Sequence, residues 1–101
     1  MQIKLTSPED IGRLVRAARK AEQLRQDDAA GAMGVSDVFL WKVEKGAPGV
    51  RLDKLLQVLH GLGIKLSADV SDAAAKRYAE LAATTPARKA ARRRKPSGDP
   101  A

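Results

Sequence analysis

Few side chains of this sequence have the type and spacing that enzymatic chemistry requires. The 101 residues include no cysteine and one histidine, His60, so thiolate metal sites are excluded and an imidazole site is not expected. Asp27 and Asp28 are adjacent, so they point apart on a helix and cannot form a catalytic dyad. No base is positioned to activate the serines that precede predicted helices, which are Ser7, Ser36 and Ser71. We therefore predict that the chain is not an enzyme and holds no metal and no cofactor.

The sequence is rich in basic side chains, which can bind negatively charged partners. The net charge is +7 and is unevenly distributed, since residues 1–70 carry +2 and residues 71–101 carry +5. Such asymmetry favours a polyanionic partner. The basic tail consists of Arg88, Lys89, Arg92, Arg93, Arg94 and Lys95. We predict that residues 86–101 are disordered. Three roles stay open for the basic tail: tracking DNA phosphates, binding an acidic patch on a partner, or remaining solvated.

The elements that must position these groups are predicted to be helices. Ser7 can cap a first helix, Pro8 suits its first position, and apolar residues at helical spacing extend it to about Ala21. Further helical patterns cover about residues 26–33, 37–45, 52–62 and 73–83. The sequence therefore predicts an all-α bundle of four or five helices. The fourth helix should form the spine of the core with Leu52, Leu55, Leu56, Val58, Leu59 and Leu62.

Residues 64–70 alternate apolar and polar side chains, which is typical of a half-buried β-strand. A single strand is not stable alone, so this C-terminal strand needs a partner. The partner is either residues 3–5 of the same chain or the same strand of a second subunit.

The segment between residues 26 and 46 predicts two short helices joined by a tight turn. Ala30 has to be small because the second helix crosses closely there, and Gly34 can adopt the positive φ of a sharp turn. Ser36 can then cap the next helix. The apolar residues that hold the pair on the core are Ala29, Met33, Val35, Leu40 and Val43. This arrangement is typical of a helix-turn-helix, whose second helix enters the major groove of DNA.

The same segment, QDDAAGAMGVSDVFLWKVEKG, resembles the signature Q-x3-A-x3-G-V-S-x3-I-x2-I-E-x-G of the Cro and phage-repressor-like (XRE) superfamily. The likeness covers residues 8–70. Within the superfamily, the opening SPEDIGRLVRAARK, the helix GVRLDKLLQVLHGLGI and the strand after it resemble HipB-type antitoxins. The resemblance implies a lambda-repressor-like fold, a homodimer in which the C-terminal strands pair, and a HipA-like serine/threonine kinase toxin as partner.

The resemblance also implies roles for single residues. Gln26 matches the glutamine that opens the second helix and touches the DNA, and Ser36 matches the cap of the recognition helix. Glu44 matches a glutamate that pairs with an arginine of the first helix, here Arg19, and so pins the recognition helix to that helix. The side chains expected at the DNA are Arg25, Gln26, Ser36, Asp37, Val38, Phe39, Trp41, Lys42 and Lys45.

Several of these positions depart from the family pattern. Arg25 stands where the family has a capping residue, and arginine cannot cap by accepting an N–H. Asp37 repels phosphate and could accept only from cytosine N4, while Val38 offers apolar contact, as with a thymine methyl. Lys42 is the cation best placed to read a base, with guanine as its expected partner. Packing and groove contact stay equally open for two aromatic side chains, Phe39 and Trp41.

The predicted function is that of a sequence-specific DNA-binding transcriptional repressor. It would act on a pseudo-palindromic operator as the antitoxin of a HipBA-like toxin-antitoxin module that autoregulates its operon. Two alternatives stay open: a stand-alone XRE-family regulator, and a non-specific nucleic-acid binder driven by the basic tail. The predicted dimer interface contains Leu59, Leu62, Ile64, Leu66, Ala68 and Val70.

The predicted organisation has three parts. Residues 1–70 form the DNA-binding and dimerisation domain, residues 71–85 a possible extra helix, and residues 86–101 the tail. No apolar run has the length of a signal peptide or a membrane span, and the lack of cysteine fits a reducing compartment. We therefore expect a cytoplasmic, nucleoid-associated protein.

Overall fold

The structure is a computed structural model that describes residues 1–84, and within them it contains five α-helices and no β-strand. The helices are α1 (Pro8–Ala21), α2 (Gln26–Met33), α3 (Asp37–Glu44), α4 (Leu52–Gly61) and α5 (Asp72–Thr84). Residues 1–66 form one compact unit that contains α1 to α4. A second unit begins at Ser67, and its described part contains α5. The predicted end of the DNA-binding and dimerisation domain at Val70 stays a prediction. The predicted tail lies outside the described residues.

The start of α1 is fixed by the predicted cap. The Ser7 hydroxyl accepts a hydrogen bond from the backbone N–H of Asp10 at 3.1 Å. The Asp10 carboxylate in turn accepts from both the backbone N–H and the hydroxyl of Thr6, each at 2.9 Å. The Thr6 backbone hydrogen bond is the main reason why the pKa of Asp10 lies below its ordinary value. A short polar network therefore sets where α1 begins.

The core joins α1, α3 and α4. Val15 of α1, Leu40 of α3 and Val58 of α4 are its largest fully buried side chains. The other buried members are Ala29, Ala30, Val35, Val43, Leu55 and Leu59. All members of this core are apolar, so it excludes water by aliphatic packing alone.

The prediction that α4 forms the spine of the core is only partly right. Leu55, Val58 and Leu59 are buried, whereas Leu52 and Leu56 are 67% and 44% exposed. A helix of ten residues presents one stripe to its neighbours, so leucines outside that stripe remain at the surface.

Gly12 is the point where α1 comes closest to α3. A Cβ atom built at Gly12 would lie 2.5 Å from the carbonyl oxygen of Val43 and 2.7 Å from that of Glu44. Both atoms belong to backbone, which cannot swing away as a flexible side chain does. Glycine is therefore required for this approach, and sequence reasoning did not identify it.

Residues 64–70 have no regular secondary structure in the single chain. The backbone N–H of Ile64 donates to the carbonyl of Leu59 at 2.9 Å and closes the end of α4. Neither this segment nor residues 3–5 is assigned as strand in the described chain, and pairing between the two also stays a prediction. Pairing between two subunits stays a prediction.

Candidate nucleic-acid interface

The turn between α2 and α3 is built by backbone and cap hydrogen bonds. Gly34 has a φ of 75°, which places it in the left-handed region, and the N–H of Val35 donates to the carbonyl of Ala30 at 3.0 Å. The Ser36 hydroxyl accepts from the N–H of Phe39 at 3.0 Å and caps α3. Together these contacts fix the angle between α2 and α3.

A side chain of α4 supports this turn from outside the motif. The side-chain amide of Gln57 donates to the carbonyl of Met33 at 2.6 Å, at the last residue of α2. This satisfies a carbonyl that the helix end leaves without an intrahelical partner. Sequence reasoning missed Gln57, because a polar residue on a helix surface gives no signal of such a long-range contact.

Arg19, Gln26 and Glu44 form a polar cluster that joins the first three helices, and we call it the Glu44 clamp. The Arg19 guanidinium donates to Glu44 twice, from Nε at 2.6 Å and from Nη2 at 2.8 Å. The two side chains are only 11% and 5% exposed. Arg19 also donates from Nη1 to the carbonyl of Leu24 at 2.9 Å. The hydrogen bond to Glu44 raises the pKa of Arg19 by more than desolvation lowers it. The pKa therefore lies above the ordinary value of an arginine.

Gln26 is the third member of the Glu44 clamp, which the resemblance did not imply. Its side-chain Nε2 donates to Glu44 Oε1 at 3.2 Å, so one donor of this half-buried amide has a partner within the protein. The resemblance assigned Gln26 to the DNA, whereas the structure gives its amide donor an internal partner. The clamp therefore ties the end of α3 to the start of α2 as well as to α1.

Five exposed side chains lie along one side of α3, and we call them the reading face: Asp37, Val38, Trp41, Lys42 and Lys45. Val38 is 61% exposed and Trp41 is 49% exposed. The Lys45 ammonium lies 5.1 Å from the centroid of the Trp41 ring, which is a cation–π distance. Phe39, by contrast, is partly buried against the core. Of the two aromatic residues, only Trp41 belongs to the reading face.

The protein supplies its own anion, Asp27, at the start of α2. The Asp27 carboxylate accepts from the N–H of Asp28 at 2.9 Å and lies 3.3 Å from the Arg25 guanidinium. As the sequence predicts, Arg25 does not cap α2 with its side chain. A helix N-terminus attracts anions, and the negative charge of Asp27 at the start of α2 weakens that attraction for a DNA phosphate.

The residues expected at the dimer interface differ in exposure. Leu59 is 3% exposed and belongs to the core of the single chain, so its side chain is not available to a second subunit. Leu62 and Ile64 are partly buried against the same core. Leu66 and Val70 are 55% and 58% exposed. Ala68 is exposed as well.

Other kinds of site find little support in the described part of the chain. No group of three or more His, Cys, Asp or Glu side chains in residues 1–84 is arranged to hold a metal ion. No helix in that range is long and apolar enough to cross a membrane. A depression of about 140 Å³ beside the start of α1 has no titratable side chain in its lining, which is Pro8, Ile11, Val43, Ala47, Pro48, Gly49, Val50 and Leu55.

Comparison with known proteins defines the class of this chain. It belongs to the helix-turn-helix domain family, whose match spans residues 10–73. It is also 44% identical over 66 residues to the uncharacterized HTH-type transcriptional regulator y4mF of Sinorhizobium fredii. That alignment covers 65% of this chain and 87% of the relative. The predicted membership in the helix-turn-helix class is confirmed.

Solved structures then narrow the fold within that class. A chain of the HipA-HipB-O2-O3 complex matches with a TM-score of 0.63 at 15% identity, covering 70% of this chain and 100% of that one. A HipB-O4 20mer complex gives 0.62 at 15% identity, with coverage of 70% and 100%. The clp gene regulator ClgR from C. glutamicum gives 0.52 at 24% identity, with coverage of 81% and 96%. At such identities the likeness is one of fold. The fold is HipB-like, and the predicted all-α, repressor-like architecture is confirmed.

Proposed function

We propose that this chain is a sequence-specific DNA-binding transcriptional repressor. The observation that carries the proposal is the reading face, which is exposed on a helix whose two ends are held by Ser36 and by the Glu44 clamp. A recognition helix must be rigid to place side chains at base edges, and it must leave those side chains free of core packing. The relative named as an HTH-type transcriptional regulator supports the same function.

In the proposed mechanism α3 lies in the major groove and the protein blocks access of polymerase to a promoter. Lys42 can donate to guanine, and Asp37 can accept from cytosine N4. Lys45 lies at the C-terminal end of α3, where its charge can meet a phosphate. The polar part of the reading face is thus suited to G·C pairs.

The active form is proposed to be a homodimer on a pseudo-palindromic operator. Residues 64–70 supply the pairing segment, whose apolar side chains Leu66 and Val70 are more than half exposed in the single chain. A two-stranded ribbon between subunits would cover them and satisfy backbone groups that the single chain leaves without a ladder. Half-sites would then lie about one or two helical turns apart.

Fluorescence anisotropy on DNA from the region upstream of the gene tests this proposal, with a scrambled duplex of equal length at two salt concentrations. A repressor should prefer its own upstream DNA by about a thousandfold or more. Equal binding to both duplexes that vanishes at higher salt would overturn the sequence-specific proposal. It would favour the alternative in which the basic tail drives non-specific binding.

The antitoxin role is a second candidate, supported by the likeness of this fold to a chain of a HipA-HipB-O2-O3 complex. In that role the dimer would also hold a HipA-like serine/threonine kinase inactive. The test is co-expression with a kinase encoded by the adjacent gene, followed by co-purification and a kinase assay. A neighbouring gene of another class would favour the stand-alone regulator.

The two lysines of the reading face, Lys42 and Lys45, should respond differently to the same substitution. Lys42→Ala is expected to weaken operator binding by about 1 to 3 kcal/mol and to relax preference at one base pair, because it removes a base contact. Lys45→Ala should weaken binding to all duplexes alike and reduce the salt slope by about 1, because it removes a phosphate contact. Anisotropy on a set of single-base operator variants measures both effects. Identical effects of the two substitutions would contradict the assigned roles.

Asp27→Asn is expected to raise affinity for operator and scrambled DNA by a similar factor, on the order of threefold. It removes an anion from the start of α2 without changing the shape of the side chain. Asp72→Asn is the matched control, because it makes the same change of net charge in the first turn of α5. An equal gain from both variants would show that net charge alone is responsible and that the start of α2 does not meet DNA.

A further inference from the structure

The middle of the reading face is apolar. Val38 and Trp41 lie one helical turn apart on α3, and neither is needed to fill the core. Val38 has 61% of its surface exposed in the first turn of α3, although valine is a poor helix former. Val38 is more than half exposed and Trp41 about half exposed, so both are available to whatever α3 meets.

The polar side chains of the reading face leave A·T pairs without a reader. Adenine is recognised by the paired donor and acceptor of an Asn or Gln amide, and the reading face has neither residue type. The Gln26 amide, which the resemblance placed at the DNA, donates from Nε2 to Glu44 within the protein. The remaining major-groove feature that an apolar side chain can detect is the methyl group at C5 of a pyrimidine.

We infer that Val38 and Trp41 form an apolar contact for the C5 methyl group of a pyrimidine in the major groove. This rests on the proposed function, in which α3 enters that groove. Val38 supplies the aliphatic contact, and the Trp41 ring supplies a flat wall. The Lys45 ammonium lies 5.1 Å from the centroid of that ring, on the C-terminal side of α3. Two bases carry such a methyl group, thymine and 5-methylcytosine, and both would present it at the same depth.

The test replaces the thymines in the half-sites of the operator by deoxyuridine. This deletes the methyl group and keeps every hydrogen-bonding group. The unmodified protein should bind the deoxyuridine duplex about fourfold more weakly for each methyl group contacted, the factor that corresponds to burial of one methylene-sized group. Val38→Ala should bind the two duplexes almost equally. The variant should fold normally, because position 38 is exposed and alanine favours a helix.

A matched variant and a second duplex complete the experiment. Leu52→Ala removes an apolar side chain that is 67% exposed on α4, and it should leave the methyl discrimination unchanged. A duplex with cytosines replaced by 5-methylcytosine identifies the source of the methyl group. Weaker binding to deoxyuridine assigns the contact to thymine. No effect of deoxyuridine with tighter binding to the methylated duplex assigns it to 5-methylcytosine.

The failure of this inference differs from the failure of the proposed function. If the protein prefers its operator over a scrambled duplex but responds to neither modified base, the methyl contact is overturned and the repressor remains. If it shows no preference for its operator at all, the methyl contact and the proposed function are both overturned. Methyl discrimination that survives Val38→Ala would also overturn the assignment to this side chain.

Discussion

Replacing Glu44 with alanine is expected to lower the free energy of unfolding by about 3 to 5 kcal/mol. The substitution leaves the Arg19 guanidinium in a site where it is 11% exposed, without the anion that now accepts two of its hydrogen bonds. It also removes the acceptor of the Gln26 amide. Urea unfolding followed by far-ultraviolet circular dichroism measures the change, which should shift the midpoint with little change in slope.

Arg13, which lies on α1 like Arg19, provides the control for this prediction. Arg13 also pairs with an acidic residue, Asp10, but its side chain is 74% exposed, so Arg13→Ala should change stability by no more than about 0.5 kcal/mol. The double variant Arg19→Met with Glu44→Leu should lose less than the two single variants together, because no charge is then left unpaired. Additive losses would show that the pair does not act as a unit.

The pH dependence of the Glu44 clamp follows from the pKa of Arg19. Pairing raises that pKa, so the stabilisation is complete below the pKa of the unfolded chain and is lost only as the pH rises through the still higher folded value. Titration of Arg19 therefore contributes no change of stability at neutral pH. Asp10 behaves in the opposite sense, since its pKa is lowered, and its contribution is lost as the pH falls below the ordinary range of an aspartate.

The second large effect is expected at Gly12, where alanine should destabilise the protein by about 2 to 3 kcal/mol. The new Cβ would lie 2.5 Å from the carbonyl oxygen of Val43, so α1 and α3 would have to separate. Because α3 carries the reading face, operator affinity should fall even under conditions where the variant is fully folded. Denaturant unfolding and anisotropy measure the two losses separately.

Gly31→Ala is the matched substitution for Gly12→Ala. Gly31 also lies within a helix, but a Cβ there would have no atom within 4 Å. Alanine at this position should stabilise the protein by about 0.5 to 1 kcal/mol, since it lowers the conformational freedom of the unfolded chain. Similar effects from the two substitutions would contradict the close approach of α1 and α3.

Much of the fold was predictable because its signals are local. Ser7, Pro8 and Gly34 mark helix ends through chemistry that acts within a few residues, and the helices begin and end where these residues predict. The contact between Arg19 and Glu44 spans 25 positions, and only the family resemblance implied it. Local pattern and family signature together were enough for the helix-turn-helix.

The features that sequence reasoning missed all depend on how two helices meet. Gly12 looks like an ordinary glycine in a helix until the backbone of α3 is placed against it. Leu56 and Leu59 are both leucines of one helix, yet one is 44% exposed and the other 3%, because only the packing partners decide which side is covered. The hydrogen bond from Gln26 to Glu44 was not predicted, because neither local pattern nor the family signature shows that this carboxylate lies within reach of the amide.

The position of Trp41 has a consequence for optical spectroscopy. It is the single tryptophan of the whole sequence, and it lies half exposed on the reading face of α3. Indole emission, excited selectively at long wavelength, therefore originates from one place on the molecule, beside the Lys45 ammonium. Docking of α3 into a groove would change the polarity and quenching around that ring. The unlabelled protein thus carries its own optical reporter of groove entry, in the side chain proposed to touch the base.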